Sequence, residues 1–194
     1  FDIAVGNSLQ PVGQPGQINA SEGTCIKTID GMPAMDFIER ETGKPVLQSD
    51  RGIVSLTIIN PDAPAEKRLR SIVPDFSTDA GHLGLYGGIE NGKSVQVCLG
   101  SPEQLMQEVH AIAERARSAS FEPKAAIIVS CGGRKHMLGQ HIEHEVSALA
   151  EAFPKNLPLV GFPSFGEIAP LKGSSGYTRN LFHNMTYVLL LLGE

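Results

Sequence analysis

Apolar and polar positions follow two different rhythms along this chain. In the first half, short runs of aliphatic and β-branched residues are separated by turn chemistry. They predict strands at Phe1–Val5, Thr24–Ile29, Ile53–Ile59, Leu69–Val73, Leu83–Tyr86 and Val95–Leu99. Strands this short, joined by turns, predict antiparallel pairing. One helix interrupts them over Pro33–Thr42: the Asp30–Gly31 turn leads into it, Pro33 suits its first turn, and Gly43 stands where a helix stops. Ala34, Phe37, Ile38 and Glu41 recur at helical spacing along one face.

In the second half the period lengthens. Ser101 and Pro102 read as an N-cap and a first-turn proline, Gln104 completes a capping box, and Leu105, Val109, Ile112, Ala113 and Ala116 mark a buried helical face. The run Ala125–Val129 reads as a strand covered on both sides. A second helix over Gln140–Phe153 carries Ile142, Val146, Leu149 and Phe153 and leads to Leu159–Phe162. Strand, helix, strand, helix, strand implies right-handed parallel crossovers. The fold class is therefore α+β: a mixed sheet with an antiparallel first half, a parallel βαβαβ second half and packed helices. Thr186–Leu192 is apolar enough for a central strand, and the Gly/Ser/Pro/Asn-rich stretch before it reads as a long functional loop. No repeat and no long linker divides the chain.

Composition narrows the function classes. The chain has 194 residues, 16 basic against 21 acidic side chains and a net charge of -5, which disfavours a nucleic-acid binder, whose affinity rests on neutralising phosphates. The longest apolar run, Tyr187–Leu192, is far short of the ~20 residues of a membrane span. Cys25, Cys98 and Cys131 are odd in number and irregularly spaced, as reduced cytoplasmic thiols are. The chain opens without Met on residues that look like mid-strand, as a piece of a longer protein would.

Candidate chemistry gathers in two places. Ser130, Cys131, Gly132, Gly133, Arg134 and Lys135 follow the apolar strand directly, at the strand carboxyl end where open sheets bind ligands. Two glycines let the backbone turn and present N–H groups, and Arg134 adds a planar fork for a carboxylate or phosphate. The spacing is neither that of a P-loop nor that of a dinucleotide fingerprint, and a plain strand-to-helix turn explains it as well. Cys131 has the position of a thiol nucleophile with His183 as base, or of a small buried hydrophobe. His141, His144 and Glu145 share one helix in an order that matches no zinc motif, so a solvated face is the better account. The second place is the loop, where Gly166 and Glu167 lead toward His183 and Asn184; these groups either converge on a ligand or satisfy the loop's own backbone.

Taken together, Ser130-Cys131-Gly132-Gly133-Arg134, Leu138-Gly139, Glu145, Pro158 to Phe162, Gly166-Glu167-Ile168 and His183 to Thr186 resemble the C-terminal half of the FIST domain, named for F-box and intracellular signal transduction proteins. Pro11-Val12-Gly13 and Ile29 to Ala34 extend the resemblance over nearly the whole chain. It implies that residues 1–24 end a preceding N-terminal FIST segment and residues 25–194 form the C-terminal FIST domain. It also implies a cytoplasmic sensory module that binds a small ligand, an amino acid or related metabolite, beside a signalling output domain or partner protein.

The expected ligand-binding set is Ser130, Cys131, Gly132, Gly133, Arg134, Gly166, Glu167, His183 and Asn184. In it Arg134 takes the ligand's anionic group and Glu167 its cationic one; alternatively, Arg134 and Glu167 pair with each other and brace the loop. No cofactor, metal, nucleic acid or membrane insertion is expected. The competing functions are an interaction platform for an output domain, which predicts an exposed apolar patch, and a thiol-dependent enzyme using Cys131.

Overall fold

The turn-rich first half closes on itself. In the computed structural model, residues 1–47, 50, 53–63, 66–77 and 80–194 are described, those of 74–77 by their backbone alone. The chain divides into two compact units, Leu9–Gly100 and a second made of Phe1–Ser8 with Ser101–Glu194. After a first strand β1 (Asp2–Gly6), which belongs to the second unit, come β2 (Gln10–Glu22), β3 (Cys25–Ile29), β4 (Met32–Pro33), helix α1 (Ala34–Thr42), β5 (Ser55–Ile59), β6 (Arg68–Ser77), β7 (Leu83–Leu85) and β8 (Ser94–Leu99). Six of these form an antiparallel ring in the order β2-β8-β5-β6-β7-β3, which the β2–β3 pairing closes into a barrel. β4 extends β3 across a two-residue turn whose Asp30 and Gly31 both have positive φ (50° and 77°), the geometry that Asp-Gly favours between twisted strands.

The barrel core is aliphatic, with Ile18, Ile26, Ile29, Leu56, Val95 and Val97 buried against Phe37 and Ile38 of α1. Gly16 makes room for α1: a Cβ there would stand 2.4 Å from the Phe37 ring. β2 is the element the hydrophobic pattern does not announce. It carries two prolines and two glycines and fully buries only Gly16 and Ile18, and its register against β8 shifts between Val12 and Gly16, where Gly13 has φ 62°. A bulge absorbs the residues that cannot serve an unbroken ladder.

The second unit contains α2 (Pro102–Arg117), β9 (Pro123–Cys131), α3 (Gly132–Leu138), α4 (Glu143–Ala152), β10 (Leu159–Ser164), β11 (Glu167–Ala169), β12 (Lys172–Gly173), β13 (Gly176–Tyr177), β14 (Leu181–His183) and β15 (Tyr187–Gly193). Its main sheet has the order β1-β15-β9-β10 and is mixed: β10 runs parallel to β9, whereas β15 is antiparallel to both β9 and β1. The α+β class therefore holds, but a parallel βαβαβ half does not form. Val95–Leu99 pairs antiparallel with β2 and β5 in the barrel instead of beside β9, so one parallel pair remains. A strand of alternating Val residues fits either partner, and the local pattern does not choose between them.

The capping box of α2 forms as read, with Ser101 Oγ accepting from Gln104 N–H (3.3 Å) and Gln104 Oε1 accepting from Ser101 N–H (3.0 Å). Its five expected apolar residues are all buried. α2 and α4 cover one face of the sheet, where Ala126, Ile128, Tyr187, Leu189 and Leu191 meet Val109, Ile112 and Leu149. Ile127 and Val129, on the other face, are only half-buried, so β9 is not covered equally on both sides. α4 also turns differently from its reading: Glu145 is buried and Val146 is 49% exposed. The stretch read as loop is stitched by two short antiparallel pairs, β11–β14 and β12–β13.

Candidate functional site

Strand periodicity decides which motif residues meet. Successive side chains of a strand point to opposite faces, so Ser130 and Cys131 part company at the end of β9. Ser130 pairs in register with Tyr187 and Cys131 with Ser164. The motif accordingly feeds two separate polar networks, one on each side of the sheet.

On the helix side, Glu145 collects the donors. Its Oε1 accepts from Arg134 Nε (2.7 Å) and Nη2 (2.6 Å), and its Oε2 accepts from Ser130 Oγ (2.8 Å). Arg134 Nη2 also donates to the Leu105 carbonyl (3.0 Å), and the guanidinium carbon lies 5.4 Å from the Tyr187 ring centroid. Arg134 is 0% and Glu145 2% exposed, so this is a fully buried ion pair with its own hydrogen-bond shell. Arg134 Nη1 has no partner among the described residues. Burial, and then the Glu145 charge, push the Tyr187 phenol far above its ordinary range, so it stays protonated and donates to the Glu145 carbonyl (3.4 Å).

On the opposite side, Glu167 accepts from Ser164 Oγ (2.6 Å) and Thr186 Oγ1 (2.7 Å). His183 Nε2 lies 3.0 Å from the Ala169 carbonyl, and Asn184 Nδ2 donates to the His183 carbonyl (3.0 Å). Met185 follows with φ 58°, a strained backbone for a side chain, and it is fully buried. Gly133 lets it in: a Cβ there would stand 2.4 Å from Met185 Sδ. Gly132 and Gly133 thus open α3 and admit a neighbouring side chain. Gly166 (φ 148°) turns β10 into β11.

Arg134 and Glu167 therefore sit in different networks, and the partner that braces Arg134 is Glu145. Nothing in the bare sequence paired them, although Glu145 shares a helical face with Ala148 and Leu149, an unusual place for an unpartnered carboxylate. Cys131 is 7% exposed, and burial followed by the Glu167 carboxylate pushes its thiol upward, against the opposing pull of the Gly133, Met185 and Arg134 amides. Iodoacetamide near neutral pH should label Cys131 several-fold more slowly than the half-buried Cys25. Peptide mapping by mass spectrometry checks this, and equal rates would show an accessible Cys131 thiolate.

A cavity of about 210 Å³ opens beside the helix-side network, along β10 and the carboxyl half of β9. Ser130, Glu145 and Tyr187 face it, Lys135 stands at its edge, and Ile142, Val146, Leu159 and Phe162 are among its apolar walls. Lys135 closes the first candidate string and Leu159 lies in the Pro158–Phe162 motif, but the sequence gives neither a role, and Tyr187 reads only as the start of the last apolar run. The barrel unit has its own cleft of about 340 Å³, edged by Thr57, Asn60, Lys67 and Gln96, where Lys67 Nζ is tied to the Leu9 carbonyl (2.6 Å). Among the described residues no group of three or more His, Cys, Asp or Glu side chains is gathered to hold a metal ion, and no helix is long and apolar enough to cross a membrane.

The chain is thus α+β, with a closed barrel in one unit and, in the other, a mixed sheet with a small cavity along its β10 edge. The model of the FIST C domain matches residues 34–170, about seven-tenths of the chain, and the protein belongs to that family. The family is associated with signal transduction, in which its domains are generally sensory. No curated protein and no solved structure matches the chain.

Proposed function

We propose that this protein is the sensory part of a cytoplasmic signal-transduction protein and that it binds a small ligand, an amino acid or related metabolite, in the cavity beside β10. The observation that carries the reading is the cavity itself: apolar walls with a few fixed polar groups along β10 and the carboxyl half of β9, all but Tyr187 within the span matched by the family model. The buried Arg134–Glu145–Ser130 network gives it a rigid floor. Three free thiols suit a reducing compartment. Cys131, buried and shifted away from thiolate, favours a non-catalytic role. Of the expected ligand-binding set, Ser130 faces the cavity, while Arg134 acts from behind it through Glu145.

A thermal-shift screen against amino acids, small carboxylates and nucleotides tests this. A ligand at about 100 times its Kd should add about 2.7 kcal/mol, on the order of 5–10 °C for a chain of this size. The Val146→Trp variant, which fills the cavity mouth, should fold normally and lose the shift. A shift that survives Val146→Trp places the ligand elsewhere.

A second reading, an interaction platform for an adjoining output domain, is favoured by one observation. Val160, Phe162, Phe165 and Ile168 are 58–93% exposed along β10 and β11.

A further inference from the structure

The charges around the β10 cavity do not cancel. Its ionisable lining residues are Lys135, Glu145 and Tyr187. Tyr187 stays protonated, and Glu145 is answered in place by the buried Arg134 guanidinium and by Ser130 Oγ. The Lys135 ammonium has no ion pair or hydrogen bond among the described residues and reaches the cavity edge from α3. Counting Arg134, Glu145 and Lys135 together, the site carries one unmatched positive charge.

The remaining walls are apolar. Ile142, Val146, Leu159, Val160, Phe162 and Pro163 offer no hydrogen-bonding side chain. Ser130 Oγ donates its hydrogen bond to Glu145, so toward the cavity it can only accept. An ammonium group placed there would find the one carboxylate already answered by Arg134 and would add to the unmatched positive charge. A carboxylate at Lys135 would cancel the unmatched charge while remaining partly hydrated. The volume sets the size: at about 210 Å³ the cavity lies below the ~300–1,000 Å³ of sites for drug-sized ligands, so the ligand is small.

From these observations, and resting on the cavity reading above, we infer that the ligand is a short, branched or cyclic monocarboxylic acid without an ammonium group, its carboxylate held by Lys135 and its hydrocarbon body by the α4–β10 walls. Among related metabolites this selects the acid over the amino acid that shares its carbon skeleton.

The test compares four probes of matched shape, isovalerate, leucine, isovaleramide and isoamylamine, by calorimetric titration of the whole chain at constant ionic strength. Isovalerate should bind at least tenfold more tightly than the other three. In Lys135→Gln its affinity should fall to that of isovaleramide, whose own affinity should not change. Val146→Trp should abolish binding of both. Tighter binding of leucine or isoamylamine, lost in Val146→Trp, would overturn the ligand class and leave the sensory cavity standing. Isovalerate binding indifferent to Lys135→Gln would overturn the assignment of the carboxylate. If none of the four binds, this inference fails; the broader reading then stands or falls on the wide screen.

Discussion

Replacing Arg134 with methionine should destabilise the protein by about 3–5 kcal/mol, the range for removing one partner of a buried ion pair. The cause lies in what remains. Glu145, 2% exposed, would keep Ser130 Oγ as its side-chain donor and lose both guanidinium contacts. Methionine fills much of the same volume, so the cost is electrostatic and not that of a cavity. Glu145→Leu alone strands the guanidinium and should cost a similar amount. The double variant Arg134→Met/Glu145→Leu should recover most of the loss, because neither charge is then buried alone. The chain has no tryptophan, so urea unfolding is best followed by circular dichroism. An Arg134→Met variant as stable as the parent would mean that Glu145 does not hold the guanidinium, and would return Arg134 to the candidates for direct ligand contact.

The second large effect belongs to the barrel. Phe37 is fully buried between α1 and the strands, and Phe37→Ala should cost about 3–5 kcal/mol through lost burial and the space left behind. Gly16 supplies a sharper test than the magnitude. Gly16→Ala alone drives a methyl group to 2.4 Å from the ring and should be clearly destabilising. In the Phe37→Ala background the same methyl enters vacated space and should be neutral or stabilising. If Gly16→Ala costs the same in both backgrounds, the ring does not lie against β2. Hydrogen exchange should show the loss concentrated in Leu9–Gly100, with the amides of β9 and β15 little changed.

What the sequence disclosed is what local physics dictates. The five buried residues of α2, its capping box, the Asp30–Gly31 turn and the central position of β15 each follow from spacing and a few named side chains, and each is found. Sheet membership does not follow from such signals. Val95–Leu99 looks alike whether its neighbour is β9 or β5, and β2 hides behind two prolines because it reaches its place by bulging. The site was legible as positions and not as partners. Ser130, Arg134, Glu167 and His183 were all picked out, but a two-residue period sends Ser130 to one face and Cys131 to the other, and helix α4 decides that Glu145 takes the arginine. Lys135 stands in the candidate segment without a role, because a lysine beside an arginine after two glycines reads as ordinary solvated charge.

The two ends of the four-stranded sheet are unequal. At β1 the outward Ile3 N–H is taken by the Tyr177 phenol (2.8 Å), and Lys172 and Tyr177 both fasten onto Asp2. At β10 the segment Leu159–Ser164 carries no charged residue and lies largely exposed from Val160 to Pro163. A sheet sealed at one end and open at the other can be lengthened only once. Two molecules meeting through β10 would cover each other's open edge, and the bonds at Asp2 and Ile3 obstruct addition at β1, so association at this sheet favours a pair over a fibre.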